Sequence, residues 1–250
     1  ELLIEKGKIE DGVALLEKHL ATLKLKSSQV VMHLRLADLW IAQGKNPKAA
    51  RRHLEAAVRL EPANASAAFR LVRALADQGE LESLWFYLEL AASAPRPPAE
   101  RVKFCLDVAA QFEKAKDFER AFYALSYALP LDPSRKGLVH SLIDMAHKAQ
   151  LEPALAVTLR RSAQVDDGPN AVRLWRELAK LLSNGGLTKQ VEAMEAWLEV
   201  ERRSPQDKEA TAAIAVLKKS ITQDPTDPRA KLEAEARKLE VAAADPAAQA

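Results

Sequence analysis

The feature that most constrains this chain is a helix written more than once. Ala50, Leu54, Ala57 and Pro62 step by four, three and five residues, and Ala121, Leu125, Ala128 and Pro133 repeat those steps. Apolar residues at such intervals share one face of a helix, and proline cannot continue a helix interior, so each string is a helix with an apolar stripe and a hard stop. One helix pair cannot bury such a stripe alone. A chain that keeps rewriting it obtains its core by stacking.

The same periodicity runs from end to end, with apolar residues at three- and four-residue steps and no sustained alternation of period two, which predicts an all-α protein. Breaks at "AQGKNP", "LEPANA", "DQGE", "SAPRPPAE", "AKDF", "LDPSRKG", "DDGPN", "SNGG", "RSPQD" and "QDPTDP" leave helices of roughly 12 to 16 residues joined by short connections, so neighbours run antiparallel. A register emerges by counting. Leu36, Ala37 and Trp40 precede Gly44, Leu71, Val72 and Leu75 precede Gly79, Val108, Ala109 and Phe112 precede Lys116, and Leu178, Ala179 and Leu182 precede Gly186, all at equal offsets. The second helices follow with Ala50, Leu54, Ala57, then Leu84, Leu88, Ala91, then Ala121, Leu125, Ala128, then Ala193, Trp197, Val200, and prolines close the units at Pro62, Pro95, Pro133 and Pro205. Small residues let helices approach and large ones fill the space between pairs.

The strings "LADLW…G…A…L…A…P" and "VAAQF…A…L…A…P", at a period of roughly 34 residues, resemble the tetratricopeptide repeat. The resemblance implies a right-handed α-solenoid of stacked antiparallel helix pairs. It assigns a partial repeat to residues 1–26, five repeats to 30–64, 65–98, 102–135, 136–169 and 171–205, degenerate capping helices to 206–244 and a frayed tail to 245–250. The match is loosest over 136–169, where Ser141, Leu142, Met145, Ala154 and Thr158 are the nearest fits. In this family the first helices of successive pairs line a concave groove for a peptide or partner helix. Carried onto the matching positions, that groove is lined by Leu34, Asp38, Ser66, Phe69, Arg73, Lys103, Leu106 and Ala110, then Val139, Ile143, Arg173, Arg176 and Lys180. The last three converge on one helix face, where an acidic segment or carboxylate could dock, although a solvated helix face is the favoured reading.

Composition narrows the function classes. Lys plus Arg total 37 against 35 Asp plus Glu, so a net charge of +2 exerts no global pull on nucleic acid or acidic membranes. No apolar run is long enough to span a bilayer. The lone Cys105 excludes a disulfide framework and reads as a small buried apolar residue. The chain opens on "ELLIEKGKIEDG", with neither a starting Met nor a signal-peptide core, and reads as a fragment. A cytoplasmic location is favoured, with periplasmic or lipid-anchored placement open if a signal preceded residue 1.

Chemistry is sparse. His19, His33, His53, His140 and His147 form no H-x-x-x-H or H-E-x-x-H pattern, so structural or solvated roles are expected and no metal or cofactor. No G-x-S-x-G, P-loop or G-x-G-x-x-G is present, and Glu192, Glu195 and Glu199 are spaced as a solvated helix face. Asn64 opens an N-A-S sequon and is read as a turn residue. Trp40, Phe112 and Trp197 fall on packing positions. Trp85, Phe86 and Tyr87 are consecutive, and one stripe cannot bury all three, so at least one is exposed or covered, with packing beneath the "APRPPAE" connection favoured over a partner site.

The expectation is therefore a non-catalytic interaction scaffold whose groove binds a protein or peptide. Two alternatives stay open: a helical-repeat nucleic-acid binder, which the apolar groove positions Leu34, Phe69, Leu106 and Val139 disfavour, and a regulatory or sensor module of a longer protein.

Overall fold

Asn46 and Asn64 show how the sequence starts its helices. Each side chain accepts a hydrogen bond from the backbone N–H three residues on, at 3.0 Å from Ala49 and 2.9 Å from Ala67, and Asp117 and Asp207 do the same for Arg120 and Ala210. Each cap satisfies a donor that the helix itself cannot. Proline occupies the first turn of helices beginning at Pro47, Pro98, Glu152 and Pro169, where its missing N–H costs nothing.

A computed structural model describes residues 9–43, 46–135, 137–165, 168–184 and 186–222, and every regular element among them is a helix. Residues 1–8 of the expected partial repeat, 223–244 of the expected cap and the tail 245–250 lie outside the described residues. The chain divides into two units, Glu1–Ala149 and Gln150–Ala250. The first contains α1 (Ile9–Thr22), α2 (Lys26–Gln43), α3 (Pro47–Leu60), α4 (Ala65–Asp77), α5 (Leu81–Trp85), α6 (Leu88–Ala92), α7 (Pro98–Lys114), α8 (Phe118–Ala128) and α9 (Leu138–Ala149). The second contains α10 (Glu152–Ala163), α11 (Pro169–Ser183), α12 (Leu187–Arg203) and α13 (Lys208–Thr222). Inside the first unit α1 packs on α2, α2 on α3 and α3 on α4; α4 takes both α5 and α6; α6 packs on α7, α7 on α8 and α8 on α9; in the second unit α10 through α13 pack in chain order. The boundary between units falls inside the segment 136–169.

The counted register is the core. Leu36, Ala37, Leu71, Val72, Leu75, Val108, Ala109, Phe112, Leu178, Ala179 and Leu182 are buried, and so are the twelve second-helix residues from Ala50 to Val200; Trp40 alone is half-buried. Cys105 is fully buried, and that burial pushes its thiol up to about 12, so it stays a protonated, apolar side chain.

Three turns share a left-handed residue: Gly79 at φ 73°, Lys116 at 62° and Gln150 at 57°. Each follows a buried residue, Leu71, Val108 or Leu142, at the same offset. The turn thus demands this conformation at one register position, and only the first of the three uses glycine. A left-handed L-residue costs roughly 1–2 kcal/mol, and glycine gives back roughly 0.5–1 in chain entropy. Lys116 is exposed, and its side chain makes no ion pair or hydrogen bond with the described residues, so Lys116→Gly is expected to raise the unfolding free energy by about 0.5–1 kcal/mol in urea titration.

The register over 136–169 differs from the expected one. Buried on α10 are Leu155, Leu159 and Ser162, at the four- and three-residue steps of the other second helices, together with Ala163, while Ala154 and Thr158 are half-buried. Serine replaces the small apolar residue, and its hydroxyl is buried without a partner. The "LWFYLEL" stretch also departs from expectation. The helix breaks at Phe86–Tyr87, between α5 and α6, and Phe86 is 79% exposed, so the Pro-rich connection does not cover it. Trp85 instead turns inward, edge-on to Phe112 at 6.3 Å, with the Arg120 guanidinium over its ring at 5.6 Å. Arg96 of the connection sits over Phe69 at 5.4 Å.

Candidate functional site

Phe69 and Arg73 lie one turn apart on α4, and the same spacing puts Lys103, Leu106 and Ala110 along α7. Between α2, α3, α4 and the start of α7 is a cavity of about 420 Å³. Its apolar lining comes from Trp40, Ile41, Ala50, Phe69 and Ala74, and its charged lining from Asp38, Arg70, Arg73, Asp77, Arg96 and Glu100. A second cavity of about 220 Å³ continues it toward α7, sharing Phe69, Arg73, Asp77 and Glu100 and adding Lys103, Phe104 and Asp107. Farther along, a third of about 200 Å³ is lined by Leu106, Ala110, Leu125, His140 and Asp144, among others, from α7, α8 and α9.

Charge on the walls is arranged unevenly. Arg70 donates to Asp38 at 2.7 Å, joining α4 to α2, and Arg96 approaches Glu100 at 3.7 Å. Such exposed pairs contribute about 0–1 kcal/mol each and act mainly to hold the walls in register. Arg73, Asp77, Lys103 and Asp107 make no ion pair or hydrogen bond with the described residues and stand open to a ligand. Phe69 is 2% exposed and packs on Phe104 at 4.5 Å between centroids, giving the floor a fixed aromatic plate. Trp40, read from the sequence as packing only, also faces this space, and its Nε1–H is buried without an acceptor.

The structure places Asp38, Phe69, Arg73 and Lys103 of the sequence-derived groove on the two adjoining cavities, and Leu106 and Ala110 on the separate third. Leu34 is half-buried and lines none of these cavities; Val139 is buried in the packing and lines none either. The basic face is changed in kind. Arg176 is ion-paired with Asp207, its Nε lies 3.2 Å from Glu209, and Lys180 Nζ lies 2.9 Å from Glu209. Two carboxylates already meet this face of α11, and they are the chain's own: Asp207 just before α13 and Glu209 in its first turn. Arg173 shares that helix and is half-buried. The sequence could not show this, because the acids stand about 30 residues downstream on a helix whose placement no periodicity specifies. It also missed Arg70, Arg96 and Glu100, whose only signal was their position beside groove residues. Elsewhere the described residues hold no His, Cys, Asp and Glu group of three or more suited to a metal, and no described helix is long and apolar enough to cross a membrane.

Within each unit, the packing of short helices, one set on the next, is that of a helical repeat. Among solved structures, the chain is similar to the MamA protein, at 12% identity over 72% of this chain and 94% of that one, with a TM-score of 0.39. It is similar to PilF of Pseudomonas aeruginosa, at 15% identity over 85% and 100% with a TM-score of 0.34. A thermophilic TPR protein of Thermus thermophilus gives 18% identity over 75% and 98%, with a TM-score of 0.33. No protein-family model matches the chain, and no curated protein matches it.

Proposed function

We propose that this chain is a non-catalytic scaffold of tetratricopeptide-like repeats, spanning 30–205, that binds an extended segment of a partner protein in assembly, secretion, motility or signalling. The observation that carries the reading is the pair of adjoining cavities along α2, α4 and α7: Trp40, Phe69 and the unpaired Arg73 line the first, and Phe69, Arg73 and the unpaired Lys103 line the second. An apolar partner side chain fits the floor, and a partner carboxylate fits the cations. Asp38, Asp77, Glu100 and Asp107 on the same walls would repel a phosphate backbone, which argues against nucleic acid as the occupant.

The test is a nuclease-treated pull-down from the source cell, comparing wild type with Arg73→Glu/Lys103→Glu. A retained protein is expected to fall by roughly tenfold or more in the variant, while unfolding free energy changes by less than about 0.5 kcal/mol, because both side chains are exposed. Equal retention by both chains would remove this groove from the function. Retention only when nuclease is omitted would replace the protein partner with a nucleic acid.

A further inference from the structure

α1, α2 and α3 meet at three titratable side chains. His33 Nδ1 on α2 lies 3.1 Å from His53 Nδ1 on α3, with ring centroids 5.4 Å apart. The other nitrogen of His53, Nε2, faces Glu17 Oε1 of α1 at 3.5 Å, and the His53 side chain is only 11% exposed. Two imidazoles can share an Nδ1···Nδ1 hydrogen bond only if one carries its proton there and the other does not. Glu17 decides which. A carboxylate accepts, so it draws the His53 proton to Nε2, leaving His53 Nδ1 bare to accept from His33 Nδ1–H. The result is a directed chain of polar contacts from α2 through α3 to α1.

This chain has room for one extra proton, at the outer Nε2 of His33. A second can enter only at His53 Nδ1, where it would set two N–H groups head to head and place two cations side by side in a partly buried site. We propose that Glu17, His53 and His33 form an acid-sensitive latch, which fastens α1 and α2 to α3 at neutral pH and lets go when both imidazoles are charged.

The surroundings favour release. Burial is the main effect lowering proton affinity at both rings; His53 and Arg59 add to it at His33, and Arg52 adds to it at His53, where Glu17 pulls the other way. No charged group of α4, the other helix packed on α3, shifts either ring. Both folded-state values therefore lie below the ordinary histidine value of about 6.5, so the unfolded chain binds more protons on acidification. Stability from the latch is whole above that value and is lost as pH falls through the lower, folded ones. Because Asp38, Trp40 and Ile41 of α2 and Ala50 of α3 wall the large cavity, release would also open the groove, a consequence that rests on the proposed function. The latch itself does not.

The test uses the full chain without a partner, so a failed groove reading leaves it intact. Histidine ring signals are followed by NMR from about pH 8 to pH 5, and amide exchange, corrected for its intrinsic pH dependence, is compared between wild type and His33→Gln, whose amide can donate to His53 without titrating. Two separated titration steps below the ordinary value are expected for His33 and His53. Protection of α1 and α2 should fall roughly tenfold in wild type between about pH 7.5 and pH 5, and by less than about threefold in the variant. Independent titration at the ordinary value, or equal loss of protection in both chains, overturns the latch. Should His33→Gln fail to fold, the wild-type titration decides alone.

Discussion

Phe112→Ala is expected to remove about 3–5 kcal/mol of unfolding free energy, the largest single loss anticipated in the first unit. Phe112 is fully buried on α7 and receives Trp85 of α5 edge-on at 6.3 Å; Trp85 in turn lies 5.8 Å from Tyr123 of α8. The phenyl ring therefore fills the place where three helices converge. The Phe112 carbonyl also accepts from Asp117 N–H at 2.9 Å, which closes the turn carrying the left-handed Lys116. Domain stabilities of about 5–15 kcal/mol make such a loss a large fraction of the total. Urea unfolding measures it, and hydrogen exchange should show α5, α7 and α8 losing protection together, since repeat packing passes strain to nearest neighbours. A change below about 1 kcal/mol would mean that the ring does not close this junction and that the counted register is displaced there.

Such a prediction can be written from sequence because stacking ties each helix to one pattern. Leu36, Leu71 and Val108 recur at fixed offsets from Trp40, Leu75 and Phe112, and a face that recurs at that period has nowhere to go but the core. The pattern fails where chemistry is substituted without changing geometry. Ser162 occupies a small-residue position, so its hydroxyl hides the four-and-three step of Leu155, Leu159 and Ser162. Lys116 and Gln150 occupy the conformation that Gly79 advertises, at an affordable strain.

The candidate site was less legible, for a different reason. Asp38, Phe69, Arg73 and Lys103 could be placed on one surface because they lie on first helices in register. What each touches depends on spacing between helices, which sequence does not carry. His33 and His53 sit on separate helices in no ligand-like pattern, yet their nitrogens lie 3.1 Å apart. Arg176 and Lys180 share a helix face in the sequence, and only the fold shows Asp207, at the cap of α13, and Glu209, in its first turn, set against them.

Asp207→Ala tests that last contact and is expected to cost about 2 kcal/mol. Asp207 has two roles at once: its carboxylate caps α13 by accepting from Ala210 N–H at 3.0 Å, and it pairs with Arg176. Loss of such a cap alone costs about 0.5–2 kcal/mol. Loss of the ion pair adds a smaller amount, because Glu209 remains beside Arg176 at 3.2 Å. Asp207→Asn keeps a capping oxygen and removes the charge, so more than half the loss should return. The Ala210 N–H, aided by Arg176, holds the Asp207 carboxyl below its usual range. A depressed carboxyl contributes stability that is whole above the unfolded value of about 3.9 and vanishes as pH falls through the folded one. Urea titrations should therefore show wild type losing more stability than Asp207→Ala below about pH 4, with the two curves converging. If the substitution is neutral at pH 7, α13 is not fastened through Asp207, and Arg176 and Lys180 return as a docking face for an acidic partner.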